Sequence, residues 1–359
     1  MLHRLTTTMN SDVLAHRVVE LGRTGPIGDA LRADGVPLAT IGIGFSIPTP
    51  FALARLLRVV GLAKPNLIQG WLYHGNLAAQ VARASAGPRT PVCWNIRQSI
   101  TDIRREKPTT RAVIRLCATL SGRPCRIIYN SLKAARQHEE IGYCSSHTSI
   151  IPNGFDLCRF KPSDDARERI RKELGVEDGT LLVGMIARHH PIKAHAHFLE
   201  AAATLRRAER RIEFVLAGRD VDDSNVPLGW QVRALGLEAR VRLLGERADV
   251  EDLLAALDIV ALPSLDEGFP NIVAEAMAAG VPCVATDVGE TAHIIGQTGQ
   301  VVPPGRPDAL AAALGRLIDM DDGHRRQLGL RARERIGAAF ALPAVVAQYE
   351  TLYRSVMAA

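Results

Sequence analysis

The 359-residue sequence lacks the features that mark membrane-spanning and exported proteins. It contains no apolar run of 18 residues, and its opening segment MLHRLTTTMN has no apolar core of a signal peptide. Its six cysteines form no C-x-x-C pair, so their spacing indicates neither a zinc site nor a disulfide framework. We therefore expect a cytoplasmic protein with reduced cysteines.

Composition and length favour a folded chain of two domains. Apolar residues make up 47% of the sequence and charged residues 23%, which is typical of globular proteins and not of disordered ones. The chain is too long for one ordinary domain. No internal repeat or low-complexity tract is evident.

Basic residues are concentrated in the first part of the chain. Residues 1–155 contain 19 basic and 8 acidic side chains, a net charge of +11, whereas residues 156–359 have a net charge of −5. The densest basic stretch runs from Arg97 to Arg126 and includes Ile114, Leu116 and Leu120. It fits an anionic membrane surface, an anionic acceptor or a solvated helix face. It has no aromatic side chains for base stacking, which argues against nucleic acid.

Short apolar runs alternate with longer amphipathic ones, a pattern that predicts buried parallel strands separated by helices. The first set of predicted strands is HRVVELG, PLATIGI, NLIQGW, PVCWNIR, CRIIYN and TSIIPN. After a charged helical segment, DDARERIRKELGV, the second set is LLVGMIAR, IEFVLAGR, VRLLGE, DIVALPS, PCVATDVG and GQVVPP. The sequence therefore predicts two successive doubly wound α/β units that join near IPNGFDLCRFKPS.

The first unit lacks the usual opening of such a fold. A doubly wound domain begins with a central strand and a glycine-rich turn, whereas this sequence passes from a helical segment directly to HRVVELG. We expect that the first strand of the N-terminal domain is missing and lies upstream. A domain that begins at the helix would instead leave unpaired backbone groups in its sheet. Gly22, Gly25 and Gly28 lack dinucleotide-fingerprint spacing, which disfavours nicotinamide chemistry.

The segment DEGFPNIVAEAMAAG, residues 266–280, carries the strongest functional signal. It follows a predicted strand, and Pro270 suits the first position of a helix, whose free amides would bind phosphate. Glu275 could accept hydrogen bonds from a ribose diol, and Glu267 from a sugar hydroxyl. The expected donor-binding residues of the turn and helix are Gly268, Phe269, Pro270, Asn271, Ile272 and Val273. The spacing predicts a nucleotide-sugar site.

This segment resembles the E-x7-E motif of family 4 retaining glycosyltransferases, which have the GT-B fold. Further segments resemble that family: ARHHPIKAHAHFLEAA its R-x4-K segment, IPNGFDLCRF its interdomain turn, and YNSLKAARQH its acceptor-domain N-S segment. GWLYHGNLAA and WNIRQS resemble members that extend cell-surface polysaccharides. The resemblance implies two Rossmann-like domains facing a cleft. It places the acceptor domain at 1–154, the nucleotide-sugar domain at 155–342, and a returning C-terminal helix at 343–359.

The resemblance also implies the reaction. A hexose would move from a nucleoside-diphosphate sugar to a hydroxyl of a saccharide or lipid-linked acceptor, with retention of configuration and without a metal or other cofactor. By position, Arg188 and Lys193 would bind the donor diphosphate and stabilise the charge that develops on it. Glu275 would bind the ribose and Glu267 the sugar. The protein could also lie on the inner face of the cell membrane.

Several histidines and one arginine remain open to two interpretations. His74 follows the strand LIQGW directly and is either a residue beside the sugar or a packing histidine. Arg97, after the next predicted strand, could hold an anionic acceptor. A further group of four histidines lies close together in one segment, but no cysteine or convergent carboxylate completes a metal site there. That group is His189, His190, His195 and His197.

Two other functions stay open at this point. One is a non-catalytic or inactive truncated protein that binds nucleotide sugars. The other is a nucleotide-sugar epimerase of the same fold, which needs acid and base groups that the sequence does not reveal.

Overall fold

The computed structural model describes residues 1–10, 14–43, 49–205 and 211–358. The chain divides into two compact units, which are considered separately below. Unit 1 comprises Met1–Gly154 and Leu342–Ala359, and unit 2 comprises Phe155–Ala341. In the described ranges no helix is both long and apolar enough to span a bilayer.

The described residues of unit 1 form two parallel sheets. The first pairs β1 (Val18–Glu20) with β2 (Leu38–Thr40), and the second has the order β3 (Ile68–Trp71), β4 (Val92–Ile96), β5 (Arg126–Tyr129) and β6 (Thr148–Ile150). The helices of this unit are α1 (Leu2–Thr8), α2 (Pro26–Ala33), α3 (Thr49–Ala63), α4 (Leu72–Ala86), α5 (Pro108–Leu120), α6 (Leu132–Glu140) and the C-terminal α15 (Leu342–Ala358). Within the described residues the two sheets are not hydrogen-bonded to each other.

Where the structure describes it, unit 2 contains one six-stranded parallel sheet of order β12-β11-β10-β7-β8-β9. Its strands are β7 (Leu181–Ile186), β8 (Ile212–Ala217), β9 (Val241–Leu243), β10 (Ile259–Leu262), β11 (Cys283–Thr286) and β12 (Gln300–Val302). Its helices are α7 (Asp164–Glu173), α8 (His195–Leu205), α9 (Val226–Ala234), α10 (Val250–Ala256), α11 (Asn271–Ala278), α12 (Thr291–Ile295), α13 (Pro307–Asp319) and α14 (Asp322–Phe340).

The central strands of unit 2 are continuous apolar runs because both of their faces are covered by helices. In β10, Val260 and Leu262 join one buried cluster, whereas Ile259 and Ala261 join the cluster on the opposite face. Burying each large aliphatic side chain contributes about 1.5–3 kcal/mol. Each of the twelve runs predicted as strands contains a strand, and the α/β prediction is confirmed.

The end of the chain completes the core of unit 1. On α15, Val345 and Tyr349 are fully buried and pack in one cluster with Leu5 of α1, Cys93 of β4 and Ile128 of β5. This face of the sheet therefore depends on a helix that is remote in sequence.

Arginines of α14 bind the carboxyl-terminal carbonyls of three other helices in unit 2. Arg325 donates to the Met320 carbonyl at 2.8 Å after α13, and Arg335 donates to the Ile294 carbonyl at 2.8 Å in α12. Arg333 donates to the carbonyl of Ala278, the last residue of α11. Cations at this end oppose the negative pole of a helix. Arg333 thus fixes the far end of the helix that carries the E-x7-E segment.

Candidate functional site

The sheet of unit 2 has a topological switch point between β7 and β10. These strands are parallel neighbours, whereas β8, the next strand in sequence after β7, lies on its other side. Loops 187–194 and 263–270 leave the carboxyl ends of β7 and β10 at the same edge. Ligands of open α/β sheets bind at such a point.

A partly buried ion pair joins the two loops. The Lys193 ammonium donates to Oε1 of Glu267, and the two side chains are only 22% and 12% exposed. The backbone also connects the loops, because the Leu265 amide donates to the Ile192 carbonyl at 2.7 Å. The Lys193 and Glu267 side chains predicted to bind the diphosphate and the sugar therefore lie in direct contact.

Glu267 has a second hydrogen-bond donor. The hydroxyl of Ser264, a fully buried residue that closely follows β10, donates to the same Oε1 at 2.8 Å. The Ser264 carbonyl in turn accepts a hydrogen bond of 2.5 Å from the Thr286 hydroxyl at the end of β11. The carboxylate is thus connected to two neighbouring strands.

Gly289 supports the same turn from the loop after β11. Its φ is +56°, and a Cβ at this position would overlap the carbonyl oxygens of Glu267 and Gly268. The Glu290 amide donates to the Gly268 carbonyl at 3.2 Å. Only glycine combines this conformation with such a close approach.

The start of α11 differs in two details from the prediction. Pro270 is the residue before the helix, because its ψ of 91° is extended, and α11 begins at Asn271. The Val273 amide donates to the Pro270 carbonyl at 3.2 Å, so this predicted phosphate donor is already bound within the turn. The aromatic ring of Phe269 anchors the turn in the core, stacked 6.1 Å from Phe155.

Glu275 lies one turn into α11 and is half-buried. Arg159 donates to Glu251 at 3.0 Å, and this hydrogen bond raises the pKa of Arg159, with a smaller contribution from the charge of Glu275. The Glu275 carboxylate therefore lies near the Arg159 cation.

Arg188 is exposed and follows β7 by two residues. The neighbouring histidines include a buried one: burial lowers the pKa of His195 to about 4, as does the nearby His189, whose ring centroid is 5.1 Å away. His195 is therefore neutral near pH 7. In the part of the chain that the structure describes, no three His, Cys, Asp or Glu side chains converge in a metal-ligand arrangement.

The two candidate residues of unit 1 have different surroundings. His74 is exposed in the first turn of α4, two residues after Leu72, whose φ of +60° makes the sharp turn out of β3. Arg97, which follows β4, donates to Asn153 at 3.0 Å, to Asn95 at 3.2 Å and to Tyr349 at 2.8 Å. Burial lowers the pKa of Arg97, and Tyr349 partly opposes this effect. Its hydrogen bonds therefore hold neutral groups of unit 1 together.

Sequence reasoning missed Ser264, Thr286 and Gly289. The only sequence signal for them is their position at the ends of two predicted strands, DIVALPS and PCVATDVG, because such ends meet at one edge of a parallel sheet.

The comparisons with known proteins include this region. Residues 180–320 match the model of the family described as glycosyl transferases group 1. D-inositol 3-phosphate glycosyltransferase of Corynebacterium glutamicum (strain R) is 33% identical over 219 residues, which cover 58% of this chain and 52% of the relative. MMP alpha-(1->4)-mannosyltransferase of Mycolicibacterium hassiacum is 32% identical over 214 residues, 58% of this chain and 48% of the relative.

The chain spans about half the length of these curated relatives. Among solved structures, Anabaena Alr3699/HepE in complex with UDP-glucose is similar, with a TM-score of 0.84 and 24% identity over 98% of this chain and 94% of that one. This likeness shows the fold. The predicted GT-B architecture of two Rossmann-like units is confirmed, and the segment that matches the group 1 family includes the Lys193–Glu267 site.

Proposed function

We propose that the protein is a retaining glycosyltransferase that moves a hexose from a nucleoside-diphosphate sugar to a hydroxyl of a saccharide or lipid-linked acceptor in cell-surface polysaccharide synthesis. The observation that carries this proposal is the contact between Lys193 and Glu267 at the switch point of unit 2, in front of α11. A cation for phosphate and a carboxylate for sugar hydroxyls lie side by side there.

The donor would lie across the start of α11. Arg188 and Lys193 neutralise the diphosphate, whose negative charge increases as the glycosidic bond breaks. The positive end of α11 adds to this attraction, and Glu275 on the same helix accepts hydrogen bonds from the ribose. The group 1 relatives and the UDP-glucose complex of the Anabaena structure support a nucleotide-sugar donor.

Retention of configuration follows if the acceptor attacks from the face that the diphosphate leaves. The bond between the anomeric carbon and the phosphate oxygen breaks, and the acceptor oxygen bonds to that carbon on the same face. The departing phosphate oxygen takes the acceptor proton and so acts as the base, and because the acceptor attacks from the same face, the chain needs no nucleophile of its own. Glu267 orients the sugar, and fixed cations stabilise the leaving group without a metal.

The acceptor side of the proposal involves unit 1. The segments GWLYHGNLAA and WNIRQS support an acceptor of the surface-polysaccharide type. An acceptor that binds Arg97 would have to compete with Asn153 and Tyr349 for its guanidinium. Such acceptors are often lipid-linked, which motivates the membrane part of the proposal.

For anionic lipid we propose the exposed faces of two helices of unit 1. On α3, Arg55 and Arg58 are exposed between Phe51 and Leu62, which are 68% and 74% exposed. On α5, Leu116 is exposed beside basic residues, whereas Ile114 of the predicted basic stretch belongs to the core. Exposed apolar side chains with interspersed cations are typical of interfacial helices.

The experiment that tests the proposed function is a thermal-unfolding screen with nucleotide sugars, followed by product analysis. A true donor should raise the melting temperature, because ligand binding stabilises the folded state. NMR of the product should then show the donor's anomeric configuration. Protection without turnover on any acceptor would indicate a binding protein instead. Activity that a chelator abolishes and magnesium restores would contradict the metal-free mechanism.

A further inference from the structure

We infer that Ser264 is a positioning residue, which keeps Glu267 oriented toward the donor sugar when Lys193 leaves that carboxylate for the diphosphate. The inference rests on the proposed function. Its starting point is that Lys193 and Ser264 donate to the same oxygen, Oε1 of Glu267. Two hydrogen bonds therefore hold this one oxygen. During the reaction the diphosphate requires the Lys193 ammonium, whereas nothing else requires the Ser264 hydroxyl.

The charges require Lys193 to change partners. A diphosphate carries more negative charge than one carboxylate, so the ammonium is drawn toward it when the donor binds. Glu267 is only 12% exposed and loses its cation in this exchange. A partly buried carboxylate without a hydrogen-bond donor is costly, and its side chain would rotate toward water. The Ser264 hydroxyl removes that tendency, because it takes no part in diphosphate binding.

Ser264 is suited to this role by its own supports. It is fully buried, it follows β10 closely, and the Thr286 hydroxyl of β11 holds its carbonyl at 2.5 Å. The contact of Gly289 with the Glu267 and Gly268 carbonyls limits movement of the turn from the other side. Ser264 lies in loop 263–270, and its hydrogen bond with Thr286, a residue of β11, holds this part of the loop against the sheet.

The role predicts a difference between two ligands. UDP lacks the sugar that Glu267 contacts, whereas UDP-glucose carries it. Ser264→Ala should therefore weaken the binding of UDP-glucose about tenfold and change the binding of UDP by less than twofold, both measured by calorimetry. Lys193→Ala should weaken both. Ser264→Thr retains the hydroxyl and should restore UDP-glucose binding. Thr298→Val removes a hydroxyl elsewhere in unit 2 and should change neither affinity.

A double-mutant cycle tests the hydrogen bond between Ser264 and Glu267 without any ligand. Ser264→Ala, Glu267→Ala and the double variant should show a coupling of about tenfold in the unfolding equilibrium constant, as expected for a hydrogen bond to a charged group. Additive effects would overturn the inference, as would equal weakening of UDP and UDP-glucose by Ser264→Ala. If the protein shows this coupling but binds no nucleotide sugar, the hydrogen bond between Ser264 and Glu267 would be supported and the proposed function would be refuted.

Discussion

The two units build their parallel sheets and hydrophobic cores in different ways. Unit 2 has one continuous six-stranded sheet within residues 155–341, whereas the described strands of unit 1 form two sheets and its core uses α15 from the end of the chain. Unit 1 has a net charge of +11 and unit 2 a net charge of −5. Of the fifteen large hydrophobic side chains exposed among the described residues, ten belong to unit 1.

This difference separates two kinds of binding. The Lys193–Glu267 pair of unit 2 is partly buried and supported by strand ends, which suits a small ligand that must be held in one geometry. The cations and apolar side chains of unit 1 lie on helix surfaces, which suits a broad and anionic partner. We therefore expect unit 2 to hold a small ligand in one geometry and unit 1 to attract a broad anionic partner.

The largest effect is expected from removing the Lys193 ammonium from the site in unit 2. Lys193→Ala should lower turnover by roughly 10²–10³, because one preorganised group that stabilises the leaving charge is lost. Steady-state rates with saturating donor measure this effect. Lys161→Ala, which removes an exposed lysine of the same unit, is the matched control and should retain activity. A Lys193→Ala enzyme with an unchanged rate would remove Lys193 from the mechanism.

The second effect concerns pH and is expected in both units. Burial lowers the pKa of His138 in unit 1 to about 4, and the pKa of His195 in unit 2 also falls to about 4. The usual pKa of histidine is about 6.5, so between pH 6.5 and 4 the unfolded chain binds protons that the folded chain does not. The contribution of these two histidines to the free energy of unfolding is therefore fully present above pH 6.5 and is lost as the pH falls toward 4.

Each of these histidines should remove about 3 kcal/mol of stability at pH 4. His138 donates to the Ala134 carbonyl at 2.7 Å and shares a hydrogen bond of 2.9 Å with the Tyr73 hydroxyl, so both ring nitrogens contact uncharged groups that do not neutralise an imidazolium. Denaturant melts at pH 7 and pH 4.5 should show a smaller pH dependence for His138→Gln than for the wild type. His74→Gln, at an exposed position of the same unit, should retain the full dependence.

The same contrast explains what the sequence could predict. The strands of both units were predicted because continuous apolar runs such as LLVGMI report burial on two faces. Lys193 and Glu267 were predicted from motifs at strand ends. The contacts of Arg97 were not, because Tyr349 is 252 residues away in sequence and packing alone brings it near. The contribution of Ser264 was missed because a serine after a strand carries no periodic signal.

The smallest expected effect tests the surface of unit 1. Replacing Arg55 and Arg58 on α3 by glutamine should reduce binding to anionic vesicles about thirtyfold, because each basic residue near such a surface contributes about 1 kcal/mol. Co-sedimentation with vesicles of neutral and anionic lipid, at low and high salt, measures the partition coefficient. Binding should weaken as salt rises, since screening reduces the attraction of exposed charges.

The control for this comparison lies on unit 2. Arg326 and Arg331 of α14 are also exposed, so their replacement by glutamine changes the net charge of the protein by the same amount. If α3 binds the lipid, these replacements should change the partition coefficient by less than about twofold. The reason is that salt largely screens charges that lie more than a Debye length from the lipid. Equal losses for both pairs would mean that total charge, and not the α3 surface, governs the attraction. Binding that ignores lipid charge would show that unit 1 does not recognise anionic membranes, and the contrast between the two units would then be one of folding alone.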